Sequence, residues 1–201
     1  MVAATDIKVG ELVFRDTALI VVPKTPDLCL ACNVDHAAQG RRGECLILKK
    51  RYEPVRRVLN DAPAIAKASN VDVPLVLMLA KALIALAEKD APAWRLFELH
   101  GPLAQLSAAE QASLRKAASM VRERLPDSHK ALLDEEQLAK LMVCYTMNSH
   151  GMEEGLSGVF MVARLMEHAC VANSNFTTFG NTLVCYAIDD IKRGQPITMT
   201  Y

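Results

Sequence analysis

The stretch EHACVANSNF, residues 167–176, puts a histidine and a cysteine either side of one alanine and follows them with two asparagines. It sits between an apolar run, VFMVARLM (159–166), and a strand-like run, NTLVCYAI (181–188). Three roles compete for it: a metal site, a catalytic dyad, or backbone shaped to hold a cofactor. On the residues alone, His168 and Cys170 are accounted for as a buried polar and a buried thiol side chain on a short element. Zinc has little behind it here, because the two stand two apart with no second pair at a suitable distance.

Working outward, VFMVARLM fits either a short helix or a buried strand. NTLVCYAI alternates as a strand should, and PITMTY (196–201) is a second strand candidate, the two separated by the turn DDIKRGQ with Gly194. DIKRGQPIT (190–198) shares an Asp-Ile-Lys-x-Gly frame with DIKVGELVF (6–14). The repeat suggests that β elements from the two ends meet around whatever lies between. At the start, ELVF and ALIVVP read as short strands, with Gly10 suited to a turn.

The middle reads as helix. Asp72 is placed as an N-cap before Val73-Pro74, and the run to Lys89 is rich in helix formers until Asp90-Ala91-Pro92. Ser107 with Glu110, and Asp134 with Gln137, have capping-box spacing, and the first of these helices should stop before Pro126. Trp94 and Phe97 are expected to anchor helix packing, and the Met and Leu residues of 75–86 and 138–147 to form core. Arg41, Arg42, Lys49, Lys50, Arg51, Arg56 and Arg57 make a basic cluster best read as a solvated helix face.

Over the whole chain of 201 residues, Lys plus Arg equal Asp plus Glu at 23 each, so no net charge draws it to nucleic acid or an anionic membrane. The N-terminus lacks a secretory signal, and the longest apolar run, VPLVLMLAKALIALA, is interrupted by Lys81. The expected location is intracellular, in cytoplasm or nucleus, where six cysteines are thiols or metal ligands rather than disulfides. No Ser-His-Asp order or phosphate-binding glycine loop is present to support a hydrolase or nucleotide triphosphatase.

Taken together, ATDIKVGELVFRDTALIVVP (4–23), NSHGMEEG (148–155) and residues 159–201 resemble a SET domain of the SMYD-like type, split by an insertion. The resemblance implies an α+β fold: a mostly antiparallel SET sheet built from both chain ends, interrupted by a large helical insert. Its parts would be N-terminal SET strands (1–25), a cysteine-containing loop like a degenerate MYND finger (26–48), the helical insert (49–147) and a C-terminal SET segment (148–201). It also implies S-adenosylmethionine-dependent methylation of a lysine on a histone or other protein. Carried onto this sequence, Asn148, Glu167 and His168 are cofactor-binding and Tyr201 is catalytic, with His168 meeting the adenine through its backbone. The runner-up reading is a catalytically inactive SET-like module that binds a protein partner.

The pattern has departures. Glu167 stands where the family has asparagine, and an ionised glutamate only accepts hydrogen bonds and repels the carboxylate of the cofactor. His150 stands where an aromatic residue is common. A Gly-x-Gly turn expected upstream of the first strand, and a segment after Tyr201, are not in the sequence, so a fragment or a decayed gene product is expected. Cys29, Cys32 and Cys45 correspond to the first pair and the last ligand of the two-zinc finger, which belong to different metals. With His36 they have the ligand types for one tetrahedral site, but free thiols in a loop explain them as well, and no metal is assigned. Target protein, methylation degree and oligomeric state are not set by the sequence.

Overall fold

The computed structural model describes residues 1–24, 28, 29, 32, 33, 45, 50–89, 95–98 and 101–200. Two strands open the chain, β1 (Leu12–Thr17) and β2 (Ile20–Pro23). Among the described residues five α-helices follow: α1 (Arg56–Ser69), α2 (Val73–Ala87), α3 (Ala108–Glu123), α4 (Asp127–Lys130) and α5 (Glu135–Asn148). Six strands close it: β3 (Ser149–Met152), β4 (Leu156–Val159), β5 (Glu167–His168), β6 (Ser174–Phe179), β7 (Thr182–Ala187) and β8 (Thr198–Met199).

The helix boundaries follow the local chemistry. Both capping boxes form: Ser107 Oγ accepts from Glu110 N–H at the head of α3, and Asp134 Oδ1 accepts from Gln137 N–H at the head of α5. Asp72 occupies the N-cap of α2 but its side chain makes no capping bond; Pro74 in the first turn carries that start instead. Helix α1 ends at Asn70, whose left-handed φ of +56° is tolerated by asparagine at such a cap. Apart from Lys81, helix α2 is apolar on every side, and it is buried continuously from Val76 to Leu86, so it forms the axis of the helical core. Leu96, 2 % exposed, packs there; Phe97, expected to anchor packing, is 40 % exposed. Trp94 and the stop at Asp90-Ala91-Pro92 lie outside the described residues. Of the basic cluster, Arg51 pairs with Glu88 and Arg56 with Glu53 at the surface, as a solvated face should.

The strands make three small sheets, ordered β1-β7-β6, β2-β4-β3 and β5-β8. The first two are antiparallel and the third is parallel. Strand β7 alternates strictly, turning Leu183, Cys185 and Ala187 inward. The sequence left its partners open. The segments NTLVCYAI and PITMTY are not neighbours: β7 pairs with β1 and with β6, around a turn at Gly180 and Asn181, while β8 leaves for β5. A second core, separate from the helical one, gathers Ala3 and Phe160 with Ala163, Leu183, Cys185, Ile191 and Met199. It is built from both ends of the chain.

The two Asp-Ile-Lys-x-Gly frames explain how the ends find each other. Ile7 and Ile191 form an antiparallel bridge, each N–H donating to the other's carbonyl, at 2.8 and 2.9 Å. Asp6 accepts from Arg193 N–H at 2.9 Å and from Lys192 Nζ at 3.2 Å. Asp190 accepts from Val9 N–H at 3.1 Å and from Lys8 Nζ at 2.7 Å. Gly10 N–H donates to Ala187 O and Gly194 N–H to Ala3 O, both at 2.8 Å, and the glycines share a left-handed φ of +84° and +83°. Each contact therefore recurs with the frames exchanged. The same five positions, four of them identical, present the same donors and acceptors at the same spacing, so the repeat clasps itself about a local two-fold axis. Asp6, through the Arg193 amide and Lys192, and Asp190, through Lys8, are held below the usual carboxylate range. The charged side chains of the clasp are all exposed, so their pairing sets register more than it adds stability.

Candidate functional site

Strand β5 carries two of the four sequence-nominated residues, both exposed. Glu167 lies opposite Thr198 and His168 opposite Met199 in the parallel pair with β8. Ala169 donates its N–H to Met199 O at 2.9 Å, and Thr200 Oγ1 donates to Ala169 O at 3.1 Å. Successive peptide groups of a strand face opposite edges, so with Ala169 N–H aimed at β8 the N–H and C=O of His168 face the other way. The imidazole Nε2 stands 3.6 Å from Cys170 Sγ. Tyr201 lies outside the described residues; its neighbour Thr200 is bonded beside His168.

This junction of distant segments is held by Asn173. Its Nδ2 donates to Pro196 O at 2.8 Å, its Oδ1 accepts from Thr198 N–H at 2.9 Å and from Thr198 Oγ1 at 3.2 Å, and its N–H donates to Thr198 Oγ1 at 3.1 Å. Its carbonyl accepts from Ile188 N–H at 2.9 Å. Ser174 Oγ adds a bond to Thr198 O at 2.7 Å. The sequence gave Asn173 no role; the geometry makes it the fastener of β8. Asp16, also missed, is 8 % exposed and its Oδ2 accepts from the N–H groups of Val162 and Ala163, fixing the segment that leads into β5.

Asn148 belongs to a different part of the frame. It is the last residue of α5, 7 % exposed, and its Nδ2 donates to Cys144 O at 2.6 Å, closing the final turn as the chain enters β3. A cleft of about 530 Å³ opens beside it, lined by Lys24, Asp72, Tyr145, Thr146, Ser149 and Gly151. No bond among the described residues joins Asn148 to Glu167 or His168.

His150 on β3 packs between two aromatic rings, 5.9 Å from that of Phe160 and 5.8 Å, edge-on, from that of Phe176. Its buried Nε2 has no hydrogen-bond partner. Burial lowers its pKa below the ordinary 6.5, with the charge of Asp16 opposing. The imidazole is thus neutral in the folded chain, whereas the unfolded chain takes up a proton as pH falls past about 6.5. Stability is therefore complete above that value and declines below it, at up to about 1.4 kcal/mol per pH unit. His150→Phe should flatten this limb and raise the melting temperature at pH 5.5 more than at pH 7.5, as calorimetry would read. An equal shift at both pH values would remove His150 as the source.

Three cysteines of the 26–48 segment come together beside this frame. Cys29, Cys32 and Cys45 are half-buried, and their sulfurs all lie within 4.8 Å of one another, Cys32 and Cys45 at 3.7 Å. Residues taken to serve different metals therefore share one place. His36 lies outside the described residues. Lys81, which in sequence only interrupts an apolar run, is buried at 7 % exposure and reaches the same region, its Nζ donating to Val21 O and Asn33 Oδ1, both at 2.6 Å. Burial draws it down to about 8, against the opposing charges of Cys29 and Cys32.

The SET domain family model matches residues 1–201, the whole chain. This protein belongs to the SET domain family, a family of protein methyltransferases whose domains typically bind S-adenosylmethionine. Its mixed helices and small sheets are an α+β SET fold. A search of curated proteins returned no match. No helix among the described residues is long and apolar enough to cross a membrane.

Proposed function

We propose that the chain is an S-adenosylmethionine-dependent protein-lysine N-methyltransferase of the SMYD-like, split-SET type. In this reading residues 1–25 and 148–201 form the SET part, residues 49–147 are the helical insert, and 26–48 a reduced MYND-like loop. Asn148, Glu167 and His168 hold the cofactor, and Tyr201 stands at the transfer point. When bound, the cofactor supplies an electrophilic methyl group on a cationic sulfur. The observation that carries the reading is the parallel pair of β5 with β8: it leaves the His168 backbone edge turned outward, as pairing with an adenine requires, and brings the chain end to within one residue of Tyr201 beside it.

The chain's own task is to receive a lysine that is neutral. A narrow, partly desolvated channel beside a cation lowers the amine's pKa. The Tyr201 oxygen aligns the methyl through weak C–H contacts, each about 0.5–1 kcal/mol, which orient the step rather than drive it. Calorimetric titration with S-adenosylmethionine tests the assignment. Heat of binding and a thermal shift that grows with ligand concentration are expected; no heat and no shift at millimolar ligand would turn the assignment to a non-catalytic SET-like interaction module.

Glu167 favours that second reading to the extent that its charge opposes the cofactor carboxylate. Two like charges about 4 Å apart in water repel by about 1 kcal/mol. Glu167→Asn should therefore tighten S-adenosylmethionine binding about fivefold in the same titration. A weakened affinity would instead mean that the carboxylate pairs with the cofactor's ammonium.

A further inference from the structure

We infer that Cys29, Cys32 and Cys45 bind one soft divalent cation, zinc by their ligand chemistry, and that Lys81 is the counter-charge of the loaded site. The thiol geometry fits. Zinc–sulfur bonds of about 2.3 Å at tetrahedral angles set the sulfurs about 3.8 Å apart, and those of Cys32 and Cys45 stand at 3.7 Å. The turn that carries the first two is already shaped for this. Asn33 N–H donates to Cys29 O at 2.8 Å, and Asn33 holds a left-handed φ of +60°, so the backbone just after Cys32 is tied to that of Cys29.

The second observation is one of charge and is independent of the thiols' spacing. Lys81 lies on α2 in the middle of the helical core, and both acceptors of its ammonium, Val21 O and Asn33 Oδ1, are neutral. Among the described residues it forms no ion pair with a carboxylate. A buried ammonium without a counter-ion is costly. Three thiolates around a divalent cation carry one net negative charge, and Lys81 brings the assembly to neutrality. Loading releases the three thiol protons to solvent and involves no oxidation or reduction. The site so formed is not the two-metal finger to which the resemblance points. It joins a first pair and a last cysteine that such a finger gives to separate ions, and among the described residues no fourth His, Cys, Asp or Glu joins them.

The test uses the full chain, purified with zinc and then passed over chelating resin, with metal counted by mass spectrometry and thiols mapped by alkylation with and without zinc. One zinc per chain is expected, with Cys29, Cys32 and Cys45 protected by the metal and exposed Cys170 labelled in both states. In the cobalt-substituted chain, Cys45→Ser should reduce the sulfur-to-cobalt charge-transfer band by about a third. Lys81→Met should weaken zinc binding about tenfold or more, as loss of a supporting outer group does, with Lys81→Arg recovering most of it. Two zincs per chain, no bound zinc, or alkylation of the three thiols unchanged by zinc would each overturn the proposal. The alkylation map is read on the unmutated chain, so it decides the matter even if a variant fails to fold.

Discussion

Tyr201→Phe is expected to reduce methyl transfer to a lysine peptide by about 100-fold or more while leaving S-adenosylmethionine affinity unchanged. The reaction depends on in-line placement of amine, methyl and sulfur, and a small misplacement of reacting groups costs about that factor. The phenol oxygen is the atom assigned to hold the methyl in line, and phenylalanine keeps the ring while removing it. The neighbouring residue is already fixed: Thr200 Oγ1 bonds Ala169 O beside the β5 edge. A fall in turnover with unchanged binding is the signature of an interaction made only in the transition state. Retained transfer would refute the role given to the hydroxyl, and lost binding would mean that Tyr201 shapes the cofactor site instead.

The second large effect concerns Asn173. Its side chain makes three bonds across the junction of β6 and β8, to Pro196 O, Thr198 N–H and Thr198 Oγ1. A hydrogen bond of this kind contributes about 1 kcal/mol net, and a partner left unsatisfied adds to the loss. Asn173→Ala should therefore destabilise the chain by about 2–3 kcal/mol, a fall of about 5–10 °C in melting temperature for a domain of this size. It should also weaken cofactor binding, because β8 is what holds β5 in place. Asn175→Ala is the control: among the described residues Asn175 Oδ1 accepts only from the adjacent Phe176 N–H, so little change is expected. Equal destabilisation by the two variants would contradict the fastening role.

The helical half was readable because its signals are local. Ser107 with Glu110 and Asp134 with Gln137 are four-residue devices that need no tertiary partner, and α2 announces its burial by being apolar all round apart from Lys81. The repeat of Asp-Ile-Lys-x-Gly was readable as a hint, and its reciprocal bonds show why two copies were needed. The strand partners were not readable. SNFTTF, residues 174–179, is rich in Ser, Asn and Thr and hides a strand whose existence is decided by pairing with β7. PITMTY was readable as a strand but not its partner: the Asn173 bonds carry it to β5.

The same limit applies to the site. Glu167 and His168 were nominated through the SET resemblance, but the side from which their backbone is held depends on residues 31 positions later. Lys81 looked like an interruption of an apolar run; only the fold shows its ammonium reaching a strand carbonyl and the cysteine loop. Cys32 and Cys45 are 13 residues apart, and nothing in that spacing announces sulfurs 3.7 Å apart.

Hydrogen–deuterium exchange of the chain with and without S-adenosylmethionine tests the central claim most directly, because it reads where the ligand sits. The account predicts that peptides covering 166–176 and 196–201 become protected together, with the chain between α1 and α3 unaffected. Protection confined to the helical segments, or of one of the two terminal peptides without the other, would contradict a pocket built where β5 meets β8.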